Sequence, residues 1–237
     1  HMQALLLIST YKKRYTPLAI LSMALFHAFL FLKKDVSFYK LMGTGKNNSF
    51  DKNPNWNRWA ILIIQNNQLV KSSIELMTGN FINKWLKWFT KENFHVLLEP
   101  ISTHGKWDNK HPFHTTMRKS ETEVEGAVGI LTRATIRLSK LSSFWKHVPA
   151  VSNEMQQAKG RLFSIGIGEI PYLKQATFSI WESEEAMKAF AYSSPHHKEV
   201  IQKTRKENWY SEEMFTRFKI VSHGGTIDNL DPLAGKL

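Results

Sequence analysis

Ser194-Pro195-His196-His197-Lys198 is the stretch whose residue types and spacing come closest to a ligand site. A serine followed by proline marks a helix start. Ser194 would be the N-cap and Pro195 the first helical residue, where a missing N–H removes no helical bond. His196 and His197 then fall in the first turn. The positive end of the helix dipole disfavours imidazolium there, and an imidazole must be neutral to ligate a metal. The two histidines face different ways. His197 shares a largely apolar face with Val200, Ile201 and Thr204, whereas His196 shares a wetter one with Glu199, Val200 and Lys203. Of the two, His197 is the expected pocket-facing ligand. The competing reading makes both of them partly exposed helix-start residues.

Other chemistries are narrowed by composition. The chain of 237 residues contains no cysteine. Thiolate nucleophiles, disulfides, iron–sulfur clusters and thiolate-ligated or cysteine-attached haem are therefore excluded, and a cytoplasmic setting fits. His104, His111 and His114 could form a metal site, or they are the histidines that polar loops collect. Gly43-Thr44-Gly45-Lys46 lacks the spacing of a phosphate-binding loop, and no G-x-S-x-G elbow supports a hydrolase. The net charge of +12 favours anionic partners, but the Lys and Arg are spread along the chain without an arginine-rich tract. No nucleic-acid partner is expected. His1-Met2 reads as a cloning remnant and is set aside.

The elements that must position these residues repeat. Strand patterns at 3–9, 36–42, 59–65 and 94–98 enclose helical patterns at 18–32 and 72–90, with a polar loop over 47–57 and a turn at Gly43-Thr44-Gly45. Strands at 128–138, 161–167, 175–181 and 214–222 enclose helices from Leu141 and from Ser183, the latter helped by Glu184 and Glu185 in its first turn. Each set reads β-α-β-β-α-β, the ferredoxin-like unit. One such sheet leaves a face uncovered, and packing two together buries both. The expected class is therefore α+β, two fused ferredoxin-like repeats forming a pseudo-dimeric α+β barrel. The first repeat covers 3–100, a polar linker 101–125, the second repeat 126–223 and an extended tail 224–237. The two halves show no evident residue-by-residue likeness. Leu18 to Leu32 is apolar, uncharged and flanked by Lys12, Lys13, Arg14, Lys33 and Lys34. It is short for a bilayer span and no cleavage site follows it. A buried helix is expected, with a membrane-associated helix as the other reading.

Several stretches carry a resemblance over nearly the whole chain: Phe38 to Gly45 (FYKLMGTG), Leu131 to Ile136 (LTRATI), Phe144-Trp145 with Val148-Pro149, Gly166 to Glu169 (GIGE), Gln175 to Trp181, His197, Trp209 to Glu213 with Arg217-Phe218, and Asp231-Pro232-Leu233. In this order and spacing the chain resembles the spheroidene monooxygenase family of carotenoid-ketolating haem proteins, within the antibiotic-biosynthesis-monooxygenase-like superfamily. The resemblance implies haem b, dioxygen, an apolar carotenoid-like or other small organic substrate and an external electron donor. It makes His197 the iron ligand and Phe163, Phe178, Ile180, Phe190 and Ile201 the pocket lining. Arg133 becomes either the distal group that orients oxygen or substrate, or a buried ion pair with Glu169. Arg161 or Arg205 becomes a partner for the haem propionates, or else a solvated charge. The same scaffold class hosts haem enzymes of aldoxime-dehydratase type, and a non-catalytic haem-binding protein is a further alternative. Peripheral membrane contact and a homo-oligomer are both compatible with it.

Overall fold

The computed structural model describes residues 2–46, 53–66, 74–114 and 125–236. The elements run β1 (Met2–Tyr11), α1 (Thr16–Leu32), β2 (Val36–Gly45), β3 (Pro54–Asn66), α2 (Ile74–Phe89), β4 (Thr90–Gly105), then β5 (Val128–Ile136), α3 (Leu141–Gln157), β6 (Arg161–Ile170), β7 (Lys174–Trp181), α4 (Glu184–Ser193), α5 (Pro195–Glu207) and β8 (Tyr210–Gly225). The strands close into one antiparallel barrel in the order β1-β3-β2-β6-β7-β5-β8-β4. This is the fused pair of ferredoxin-like repeats expected from the pattern, with the helix from Ser183 followed by the second helix start expected at Ser194-Pro195.

Why a barrel forms is visible in β1, whose residues 4–9 are buried on both faces. Ala4, Leu6 and Ile8 point into an interior shared with Leu131, Ile165, Ile167, Phe178 and Phe218 of the second half. Leu5 and Leu7 point outward, under α1 and α2. Neither half could bury its inner face alone. The halves meet at two unequal seams. β4 pairs with β8 over most of their length, whereas β2 meets β6 only at Gly43↔Gly168 and Thr44↔Ile167. The FYKLMGTG and GIGE stretches thus form one seam. The turn expected at Gly43–Gly45 is instead the end of β2, because its backbone pairs with β3 and β6.

The strands also run past their apolar cores. β4 continues to Gly105, into the expected linker, and ends in a bridged turn between Trp107 and Lys110. Residues 115–124 of that linker, 47–52 of the expected loop and 72–73 of the expected helix lie outside the described residues. Pro54–Asn57 already belong to β3. The tail does not trail away. Ile227 bridges Leu230, and Ile227 and Leu233 are buried in the barrel interior.

Those two turns expose a repeat that plain reading of the sequence misses. Gly105, Trp107, Asp108 and Asn109 recur 120 positions later as Gly225, Ile227, Asp228 and Asn229, with matching positive φ at the Gly, Asp and Asn. Glu212 accepts the backbone N–H groups of Asp108 and Asn109, and Glu92 accepts those of Asp228 and Asn229. Each half therefore ends by docking its turn on the other half's last strand. The glycines are required twice over. A Cβ at Gly225 would lie 1.9 Å from the Asn93 carbonyl oxygen, and φ is +78°. Gly225→Ala is expected to cost about 2 kcal/mol, from left-handed strain plus displacement of β4; urea unfolding of the variant against wild type measures it.

Candidate active site

The two halves differ where helices cover the sheet. In the first, the outward row Tyr39–Ile63–Leu5–Leu97 lies across β2, β3, β1 and β4. Its large side chains belong to one continuous cluster with Phe26 and Leu30 of α1 and Met77, Ile82 and Leu86 of α2. The equivalent row in the second half is Ser164–Ser179–Ile130–Arg217 across β6, β7, β5 and β8. Beside it runs Gly166–Thr177–Thr132–Phe215. Small residues here leave a cleft of about 230 Å³ between the sheet and helices α3, α4 and α5. The helix-facing core is split in two around it, with Phe144, Trp145, Val148 and Trp209 on one side and Val128, Ile130 and Trp181 on the other.

His197 stands in the wall of this cleft. Ser194 caps α5 by accepting the His197 backbone N–H at 3.3 Å, and Pro195 opens the helix, so the local sequence fixes where the imidazole projects. Its ring packs on Phe190 of α4, centroids 5.3 Å apart. Burial pushes the imidazole pKa down, and the Glu154 charge opposes this more weakly. A neutral ring at pH 7 follows. Among the described residues neither ring nitrogen is engaged in a hydrogen bond. His196 is turned away: its Nδ1 lies 2.6 Å from Glu154 Oε1, and Glu154 also accepts from the Ser194 hydroxyl. This clamp ties α5 to α3. Burial pushes Glu154 up, but the bonds from Ser194 and His196 outweigh it and hold the carboxyl below its ordinary range.

His147 of α3 also lines the cleft and was not singled out from sequence. Its Nδ1 sits 2.7 Å from the Ser143 carbonyl oxygen and its Nε2 2.8 Å from Lys203 Nζ. Both nitrogens are engaged, unlike those of His197. Only its i+3 spacing from Phe144 could have placed it on the inner face.

The other expected site residues divide. Phe190 lines the cleft. Phe163, Phe178 and Ile180 do not: they lie in the barrel interior, on the opposite face of β6 and β7. Adjacent strand residues point to opposite faces, so the cleft receives Ser164, Thr177 and Ser179 instead. Ile201 is 37% exposed on α5, and Arg205 is exposed in its last turn; neither lines the cleft. Arg161, at the start of β6, donates to the Gln156 carbonyl at 2.8 Å and to Ser164 Oγ at 3.3 Å, both partners lining the cleft. Its Nε is buried without a partner, and no carboxylate among the described residues pairs with it. His104 stacks on Phe215, and among the described residues no group of three His, Asp or Glu side chains is placed to hold a metal ion.

Arg133 is not a cleft residue. It projects from the inner face of β5, 1% exposed, and pairs with Glu212 and Asp108 over the Trp107 ring. Glu169, the partner expected from sequence, is taken by Lys40 at 2.6 Å and by Trp107 Nε1 at 2.6 Å. Lys40 and Lys174 complete the network on Asp108. Burial raises the Asp108 carboxyl, but the bonds and charges of Lys174 and Lys40 win and push it down to about 2 from 3.8. A depressed folded value contributes stability above the unfolded one and loses it as pH falls through the folded one. Asp108→Asn is therefore expected to cost about 1–2 kcal/mol at pH 7, its partial exposure considered. In acid titrations of stability, the gap from wild type should close between about pH 4 and pH 2.

A spheroidene monooxygenase of Rhodobacter capsulatus is 35% identical over 204 residues, covering 85% of this chain and 83% of the relative. The chain belongs to the spheroidene monooxygenase family, a family of oxidoreductases. Another member, from Cereibacter sphaeroides, is 35% identical over 201 residues, covering 84% of this chain, which spans 60% of that relative's length. No protein-family model matches the sequence. Among solved structures, an aldoxime dehydratase aligns with a TM-score of 0.59 at 10% identity, over 92% of this chain and 81% of the other. A likeness at that identity shows the shared α+β barrel alone. Within the spheroidene monooxygenase family frame, the cleft under α3–α5 is the candidate active site.

Proposed function

We propose that this chain is a haem-dependent monooxygenase acting on an apolar, carotenoid-like small molecule, with haem b seated in the cleft and His197 as its iron ligand. One observation carries the reading: a half-buried, neutral imidazole without a hydrogen-bonded partner among the described residues, facing a sheet floor of mostly small side chains. The residues fit the group. A flat apolar macrocycle needs a slot between two layers, one neutral nitrogen donor and a cation for its carboxylates. The cleft supplies the slot, His197 the nitrogen and Arg161 the cation.

When bound, haem supplies the activation of dioxygen, one atom entering a substrate C–H bond and the other leaving as water, with two electrons from an external donor. The chain's own part is to hold and exclude. His197 anchors, and the Ser194–Glu154–His196 clamp keeps α5 at its distance from α3. Phe190 and Val148 present apolar surface to the cleft and keep water out. The test is reconstitution with haem, then supply of a reductant, oxygen and a lipophilic polyene. A Soret band and polyene-dependent oxygen consumption are expected. A Soret band without turnover would reduce the reading to haem binding, and conversion of an aldoxime to a nitrile would replace it.

A further inference from the structure

We infer that the outer face of α1 and α2 is a docking surface for an anionic lipid bilayer, with α1 lying in the plane of the membrane interface. The inference does not depend on haem or on the reaction. It begins from a departure: α1, expected as a buried helix, buries only the stripe Ala19, Ser22, Phe26 and Leu30. Most of the rest of a helix without a single charge is exposed. Phe31 is 74% exposed and Leu32 76%, and Ile20, Leu21 and Phe29 are exposed beside them. The patch does not stop at α1. Phe29 packs on Phe81 of α2, centroids 5.4 Å apart, and Phe81 and Trp88, 66% exposed, continue it along α2. Exposed apolar surface of this extent marks an interaction site.

The surrounding charge selects the occupant. Lys12, Lys13 and Arg14 precede α1, Lys34 follows it, Lys84 and Lys87 lie on α2 beside Phe81 and Trp88, and Lys91 follows at the start of β4; all are exposed. The exposed acidic residues on these elements are Asp35, which pairs with Lys33, and Glu75 at the start of α2. A second copy of the chain would bring the same basic rim against itself. A bilayer with acidic headgroups complements both parts, apolar chains below and phosphates around. Spanning is not the geometry. With the turn before it, the helix Lys13–Leu32 is long and apolar enough to cross a bilayer, but its stripe from Ala19 to Leu30 is packed against the barrel and α2.

Flotation of the full chain with phosphatidylcholine–phosphatidylglycerol vesicles tests this. Wild type is expected to float with them at low salt and to be released as salt rises, and to bind pure phosphatidylcholine several-fold less. The double substitution Phe31→Glu with Leu32→Glu should cut the bound fraction about tenfold or more. Leu138→Glu, equally exposed on the other half at 76%, should leave it unchanged. The inference is overturned if wild type stays unbound at low salt, or if the double variant floats like wild type. It is equally overturned if ultracentrifugation shows a dimer that the double variant dissociates while no vesicle is bound.

Discussion

His197→Ala is expected to lose haem. Removing even a residue that supports a metal ligand costs about 10–100-fold in affinity, so removing the ligand itself should weaken haem binding by more than about 100-fold. Titration of haem into the purified variant, followed at the Soret band, measures this. The paired variant is as informative. His196→Ala should keep the band, because His196 is occupied outside the cleft with Glu154. It should instead lose a fraction of its stability, as the clamp between α3 and α5 is weakened. Acid should release haem from wild type only below the ordinary histidine range, because burial holds the His197 imidazole neutral to lower pH.

Thr177→Phe should separate cofactor binding from folding. Thr177 lies at the centre of the cleft floor, between Gly166 and Thr132. A phenyl ring there restores the kind of side chain that its counterpart Ile61 provides in the first half. The ring would occupy the slot, and haem affinity should fall by about tenfold or more, since methylene-sized misfits already cost about 1–3 kcal/mol. Stability without haem should stay within about 1 kcal/mol of wild type or rise, because the substitution covers open sheet with apolar surface. Urea unfolding and haem titration on one preparation report both quantities. A variant that keeps wild-type stability and still binds haem normally would mean that the cleft is not the cofactor's seat.

The contrast between these residues explains what was legible in the sequence. The helix start at Ser194-Pro195 has local chemistry, and so does the facing of His197 against His196; both need only the chain around them. The double β-α-β-β-α-β pattern likewise follows from periodicity. The lining did not. Phe163, Phe178 and Ile180 look like pocket residues because they are large and apolar, yet a barrel strand between two layers has two buried faces. Size marks burial without saying on which face. The cleft is instead made by Ser164, Gly166 and Thr177, whose signal is the lack of a large side chain. Arg133 forms the buried ion pair weighed for it, but not with Glu169. Its partners Asp108 and Glu212 come from a turn and a strand brought together only by the crossed docking of the two halves. α1 is the remaining case: an apolar run reads as buried, but only what packs against it decides how many of its faces are covered.

The central claim, that His197 reaches bound haem iron from the wall of this cleft, is tested most directly by His197→Gly with and without free imidazole. Substitution by glycine leaves a gap into which imidazole can diffuse. Electron paramagnetic resonance and the Soret spectrum of the haem-loaded variant are expected to lack the wild-type axial ligation and to regain it when imidazole is added. An unchanged wild-type spectrum in the variant without imidazole would contradict the claim.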